Sequence, residues 1–374
     1  MIDRERIVAE FCELVRISCS SKAERQVADV VKSKLTALGL EVFEDDVAGK
    51  INGNCGNVFG FIKGNPAAPV LMLSAHLDCV EPCAGIEPEI KAGVITSRGD
   101  TVLGADDKAG IVGILEALRV VRATNISHGD IQVVLTVAEE TGLSGSKNMD
   151  KGLLKADFGY ILDSGGSPGK IVNAAPGQNN ITVIIRGKAA HAGMAPEEGV
   201  NAIVVAGKAL ARIKEGRIDT ETTANVGLIQ GGVATNIVPD YVQITCEARS
   251  RSLEKLEDQT RHMVETFEQT AAAAGARAEI SVKRVYDPYV LADDTPVIAA
   301  ARRAAESAGF AAALEATGGG SDANFFNRYG VPSAVLGVGM AKVHTTDEYV
   351  TVEDLEKTAK MVVAIIQTVA GMTQ

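Results

Sequence analysis

Val70-Leu71-Met72-Leu73-Ser74-Ala75-His76-Leu77-Asp78 is an apolar run that ends in an imidazole and a carboxylate. A short run without polar alternation reads as a strand covered on both faces, as in a largely parallel sheet packed between helices. Open α/β sheets bind ligands beyond the carboxyl ends of such strands. His76 and Asp78 stand at that end, and their i, i+2 spacing puts them on one side. Similar runs at 58–62, 131–137 and 158–162 predict further buried strands. Helical spacing unites Ile7, Val8, Phe11, Leu14 and Val15, and again Val27, Val30, Val31, Leu35 and Leu38, with Gly39 as a stop. The segment 109–121 reads as a helix between two of the strands.

The character changes near Pro176-Gly177, where Ile181, Val183 and Ile185 begin to alternate with other residues. A helix at 201–214, strands at 224–229 and 241–248, a helix at 253–273 and a strand at 278–285 complete a β-α-β-β-α-β unit. That order is the split βαβ, ferredoxin-like arrangement, which closes on itself as a small domain. The α/β pattern resumes after about Asp287. Thr295-Pro296 opens a helix with a capping Thr and Pro in its first turn, 334–338 reads as a strand, and Thr351 with Asp354 caps the last helix. The expected organisation is one domain, 1–176 plus 288–374, interrupted by a second at 177–287.

Composition narrows the function. The 374 residues are 46% hydrophobic and 23% charged, with 4% aromatics and no Trp. A net charge of −11 argues against nucleic acid and anionic membranes as partners. No apolar run approaches the roughly 20 residues of a membrane span, and the charged start, Met1 to Arg6, lacks the apolar stretch of a signal peptide. A cytoplasmic protein is expected. Six cysteines form no CxxC pair and read as reduced; Cys79 is notable for adjoining Asp78.

Several donors recur where strands end. Besides His76 and Asp78 there are Gly104-Ala105-Asp106-Asp107-Lys108-Ala109-Gly110 before a helix, Ala138-Glu139-Glu140-Thr141-Gly142 after a strand, Asp163, and His344 before the last helix. Each alone has an ordinary explanation: a satisfied strand-end His, a helix cap, a solvated loop, a turn former, a surface imidazole. Adjacent carboxylates at the edge of a core are costly without a cation. A two-metal hydrolytic site needs imidazole and carboxylate ligands, a bridging carboxylate and a base for water.

In this order the set HxD, GADDKAG, AEETG, strand-end Asp and late His resembles the M20 metallopeptidases, most closely their peptidase T-like (tripeptidase) branch, over essentially the whole chain. The resemblance implies a zinc-peptidase-like three-layer catalytic domain with an inserted ferredoxin-like α+β lid and dimerisation domain. It implies two Zn²⁺ per subunit, with Co²⁺ or Mn²⁺ as substitutes such ligands accept. His76 and Asp163 would hold one ion, Glu140 and His344 the other, and Asp106 would bridge; Asp107 is assigned no metal. Asp78 would orient His76, and Glu139 would activate a metal-bridging water. His191 would stabilise the oxyanion, within one chain or across a homodimer. Asn236, Arg249, Gly319 and Gly320 would hold substrate. Asp163 rather than Glu favours an aminopeptidase acting on short peptides. An N-acyl-amino-acid amidohydrolase or carboxypeptidase is the alternative, and a non-catalytic relative is disfavoured because every core position keeps a competent side chain. His128 and His262 match nothing in the pattern.

Overall fold

The computed structural model describes residues 1–372. The chain divides into two compact units: Met1–Ala174, Leu291–Ala316 and the chain from Ser321 onward form the first, and Ala175–Val290 with Thr317–Gly320 the second. The segment Thr317–Gly320 thus groups with the middle of the chain, whereas the sequence pattern assigned it to the flanking domain.

The sheet of the first unit runs Glu41–Glu44, Val58–Ile62, Ile131–Thr136, Leu71–His76, Phe158–Ser164, Ser333–Gly337 and Lys170–Ala175, and Ala313–Ala316 pairs in parallel with this last strand. Its middle strands, from Ile131–Thr136 to Ser333–Gly337, are parallel, while Glu41–Glu44, Val58–Ile62 and Lys170–Ala175 pair antiparallel at the flanks. The sheet is therefore mixed. All six residues of both Leu71–His76 and Ile131–Thr136 are buried, so helices cover both faces and the architecture is three-layer α/β. The register sets His76 beside Thr136, which brings several polar turns to one edge of the sheet.

The central helix, Ala105–Ala123, starts four residues before the expected 109–121 and is buried over most of its length. It lies close to the sheet because Gly110 has no side chain: a Cβ there would stand 2.4 Å from the Leu162 carbonyl oxygen. The terminal helix, Val352–Ala370, packs along it, and Thr351 accepts from the Asp354 amide as its cap. Thr295 does not cap Pro296–Ser307 with its side chain; its hydroxyl donates back to the Ala292 carbonyl. Short elements had no sequence signature, among them Glu41–Glu44, the hairpin Pro88–Lys91 with Val94–Ser97, and Tyr349–Thr351, which pairs antiparallel with Val94–Ser97.

The second unit is an antiparallel sheet ordered Gly216–Arg217, Thr222–Gly231, Tyr241–Ser250, Gly177–Arg186 and Arg277–Tyr286. Its four long strands carry the ferredoxin-like order, with Ala202–Leu210 and Leu253–Ala273 as the helices. The helix expected at 201–214 stops at Leu210, and its cap is Asn201, whose side chain accepts from the Ile203 and Val204 amides. Ile181, Val183, Ile185, Val242, Ile244, Met263 and Phe267 form the core, so alternation along the strands buries one face. Among the described residues no helix is long and apolar enough to cross a membrane.

Candidate active site

Asp106 lies between two imidazoles. Its Oδ1 is 2.9 Å from His76 Nε2, and its Oδ2 is 3.2 Å from His344 Nε2. Asp163 Oδ1 approaches His76 Nε2 at 3.9 Å, and Glu140 Oε1 approaches His344 Nε2 at 2.9 Å. Five side chains from five separate segments of the chain therefore meet, with one carboxylate shared by two His–acid pairs. Donor atoms of His76, Asp106 and Glu140 lie within 4.8 Å of one another, as do those of His76, Asp107 and Asp163. Asp107 is otherwise engaged: it accepts from the His76 amide at 3.2 Å and from the Gly110 amide at 3.3 Å. Its link to Gly110, three residues on, is that of a helix cap, so the capping explanation fits Asp107 while Asp106 turns into the cluster.

Asp78 is fully buried and braces the cluster from behind. His76 Nδ1 stands 3.4 Å from Asp78 Oδ1 and 3.2 Å from the Asp78 carbonyl, so a proton on Nδ1 leaves Nε2 as the lone-pair nitrogen facing Asp106. The Asp78 carboxylate also accepts from the Glu139 amide at 3.0 Å, the Glu140 amide at 3.2 Å and the Ser21 hydroxyl at 2.6 Å. One side chain thus sets both the imidazole and the Glu139-Glu140 turn. That turn begins at Ala138, whose φ of 50° is a left-handed conformation uncommon outside Gly. The buried Glu24 carboxylate accepts from the Ala138 amide at 2.9 Å, and Asn57 accepts from Val137 at 3.1 Å, which holds the turn in this conformation.

The electrostatics follow from crowded carboxylates. Burial pushes the Glu139 carboxyl well above its ordinary range, and Asp322, Glu140 and Asp78 add to the rise against His76. Burial, then the charge of Asp106, raises Asp163 in the same way. Burial opposes protonation of His76, but its bonds to Asp106 and Asp78 hold it well above the usual imidazole range. The bonds to Asp106 and Glu140 lift His344 to about 10. Two imidazoles and the buried Lys108 ammonium face a larger number of acids, so the arrangement suits further bound positive charge.

In the second unit His191 is exposed. Its Nδ1 accepts from the Gly193 amide at 3.2 Å and the Met194 amide at 3.1 Å. Two donors on Nδ1 fix the tautomer with its proton on Nε2, which is then a hydrogen-bond donor. Asn236 is its neighbour: the Asn236 carbonyl accepts from the Ala192 amide at 3.0 Å, beside the bridge between His191 and Ile237. Arg249 is already in a forked pair with Glu247, Nε to Oε1 at 2.9 Å and Nη2 to Oε2 at 3.0 Å, which leaves Nη1 outside the pair. Gly320 has a local reason to lack a side chain, since a Cβ would lie 2.4 Å from the Tyr286 ring; at Gly319 a Cβ would meet nothing within 4 Å.

Sequence patterns missed several supports. Asp322 is buried at the start of Asp322–Arg328 and accepts from the Thr136 and Ser146 hydroxyls. The buried Lys108 donates to the Asp78 carbonyl at 3.1 Å. Glu348 accepts three backbone amides of the Asp106 loop. Their only sequence signal was proximity to a motif.

The model of peptidase family M20/M25/M40 matches residues 72–368. The chain belongs to this family. Within it, the chain is similar to the crystal structure of the aminopeptidase PepT from Bacillus cereus, at 47% identity and a TM-score of 0.94, covering 99% of both chains. It is similar also to a tripeptidase from Staphylococcus aureus subsp. aureus, at 42% identity and a TM-score of 0.97, covering all of both chains. Among curated relatives, Peptidase T of Serratia proteamaculans is 30% identical over 288 residues, which span 75% of this chain and 68% of that protein. The M20 fold and the peptidase T-like branch agree with the order of motifs along the sequence.

Proposed function

We propose that the chain is a dinuclear zinc aminopeptidase that cleaves short peptides, tripeptides among them. The observation that carries this reading is the single Asp106 carboxylate offering one oxygen to the His76 side and the other to the His344 side. Imidazole nitrogens and carboxylate oxygens are ordinary zinc ligands, and three protein ligands per ion leave room for substrate. His76 and Asp163 would hold one ion, Glu140 and His344 the other, and Asp106 both. When bound, such ions polarise the scissile carbonyl and lower the pKa of the attacking water. Glu139 takes the proton of that water and passes it to the leaving amine, a task suited to a carboxylate whose proton affinity is raised by burial. His191 donates from Nε2 to the developing oxyanion. Asn236 and Arg249 hold the peptide, Arg249 offering Nη1 to its carboxylate while Glu247 fixes the rest of the fork.

The relatives named PepT and tripeptidase support the aminopeptidase reading over the amidohydrolase and carboxypeptidase ones. A tripeptide, its N-acetylated form and its C-terminal amide separate the three. The free tripeptide is expected to turn over with release of its first residue, and acetylation to abolish cleavage. Cleavage of the blocked peptide alone would overturn the reading. Peptide turnover in the cytoplasm is the setting this activity fits.

The same proposal includes a homodimer through the middle unit. Strand Thr222–Gly231 pairs with Gly216–Arg217 only at Thr223 and Ala224, so among the described residues its outer edge has no strand partner from Asn225 onward. Leu228 and Ile229 are exposed on it, and exposed Ile203 lies against its end at Gly232, with Val204 beside it. An apolar strand edge is matched by its own copy about a two-fold axis. Val204→Glu with Leu228→Lys is expected to give a monomer by light scattering; an unchanged mass would exclude this edge.

A further inference from the structure

We infer that Glu348 is a positioning residue that locks the loop bearing Asp106 to the loop bearing His344, and so sets the affinity of the site for its cation pair. The inference rests on the cation reading proposed above and concerns a residue outside the ligand set.

The His344 loop is closed at its base by reciprocal bonds between Ala341 and Tyr349, 3.0 and 3.1 Å long. Within it His344 has a φ of 62°, a left-handed conformation uncommon outside Gly. Glu348 precedes the strand Tyr349–Thr351, which is paired to Val94–Ser97, and its own amide donates to the Thr345 carbonyl at 3.1 Å. Its backbone is therefore fixed on both sides.

Its side chain, only 2% exposed, crosses to the other loop. Oε2 accepts from the Leu103 amide at 2.8 Å and the Gly104 amide at 2.7 Å, and Oε1 accepts from the Asp106 amide at 2.9 Å. Both oxygens are needed as acceptors. These amides precede the first full turn of the central helix, so they lack intrahelical partners and would be buried unsatisfied without Glu348. The bond to the Asp106 amide fixes the backbone from which the shared carboxylate projects. Asp106 and His344 stand 3.2 Å apart at their tips, so one buried side chain sets the separation of two of the proposed ligands. Groups that orient metal ligands from behind typically change affinity about 10–100-fold when altered.

Glutamine tests this, because it replaces one acceptor by an amide group. Its oxygen will satisfy the Leu103 and Gly104 amides together, which leaves an NH₂ facing the Asp106 amide and displaces that residue. Zinc affinity is read on the full-length protein by competition with a chromophoric chelator, and ligand geometry by the visible absorption of the cobalt-loaded form. Glu348→Gln is expected to bind the pair about 10–100-fold more weakly, with an altered cobalt spectrum. Glu116→Gln is the control. Glu116 is equally buried and bonded to Arg6 and the Asp3 amide, away from the cluster. The control is expected to lower thermal stability and leave zinc affinity at the wild-type value. Unchanged affinity in Glu348→Gln, or an equal fall in both variants, overturns the inference. If Glu348→Gln does not fold, Glu348→Asp, which keeps two acceptor oxygens on a shorter arm, is read by the same criteria. A wild-type protein that takes up no zinc would instead overturn the cation reading, and this inference with it.

Discussion

Glu139→Gln is expected to lower kcat on a tripeptide by roughly 10²–10⁴-fold while KM and zinc content stay near wild type. Glutamine has the shape of glutamate, and the Glu139 backbone is held by the hydrogen bond its N–H donates to the Asp78 carboxylate, so the turn survives the change. What is lost is the ability to take up and return a proton. Glutamine also matches glutamate in volume, so the packing around this buried side chain is kept and stability should fall little. The measurement pairs steady-state kinetics with metal analysis of the same preparation. Activity within tenfold of wild type would remove Glu139 from the mechanism. A parallel loss of zinc would make it a ligand rather than a base.

The second large effect is expected at Asp106. Asp106→Ala removes the one carboxylate that faces both imidazoles, so neither proposed ion keeps its full set of ligands. Bound metal ions contribute several kcal/mol of charge stabilisation in the transition state, and each 1.36 kcal/mol is tenfold in rate, so kcat/KM should fall at least about 10³-fold. Zinc per chain is expected to drop from two to one or fewer. The contrast with Glu139→Gln is the point of the experiment: one variant keeps its metal and loses the proton carrier, the other loses the metal. Two tightly held ions in Asp106→Ala would show that this carboxylate does not bridge.

The long buried strands and helices were legible in the sequence because their patterns are strong. The run ending at His76, the alternation at Ile181, Val183 and Ile185, and the spacing of the 253–273 helix each reappear within a residue or two. Short strands such as Tyr349–Thr351 were not legible, since three residues carry no period. The five proposed ligands were read from motif order, and the fold brings all of them to one cluster. Their supports were invisible for a different reason. Glu348, Glu24 and Asp322 act by accepting hydrogen bonds from residues far away in sequence, and a lone acid in a loop looks the same whether or not such partners exist. At Arg249 and Gly320 the fold adds local partners that the sequence did not show, Glu247 for the guanidinium and the Tyr286 ring against the glycine.

The order of strands in the first sheet bears on how the protein is made. Ser333–Gly337 lies between Phe158–Ser164 and Lys170–Ala175, so a strand near the end of the chain fills the space between two that are nearly adjacent in sequence. On a ribosome elongating at about 5–20 residues per second, these neighbours wait roughly ten to thirty seconds for it. Throughout that interval the nascent chain exposes two unpaired strand flanks, which invite mispairing with other chains. The self-contained middle unit can fold during the delay, before the strand Ser333–Gly337 has been made.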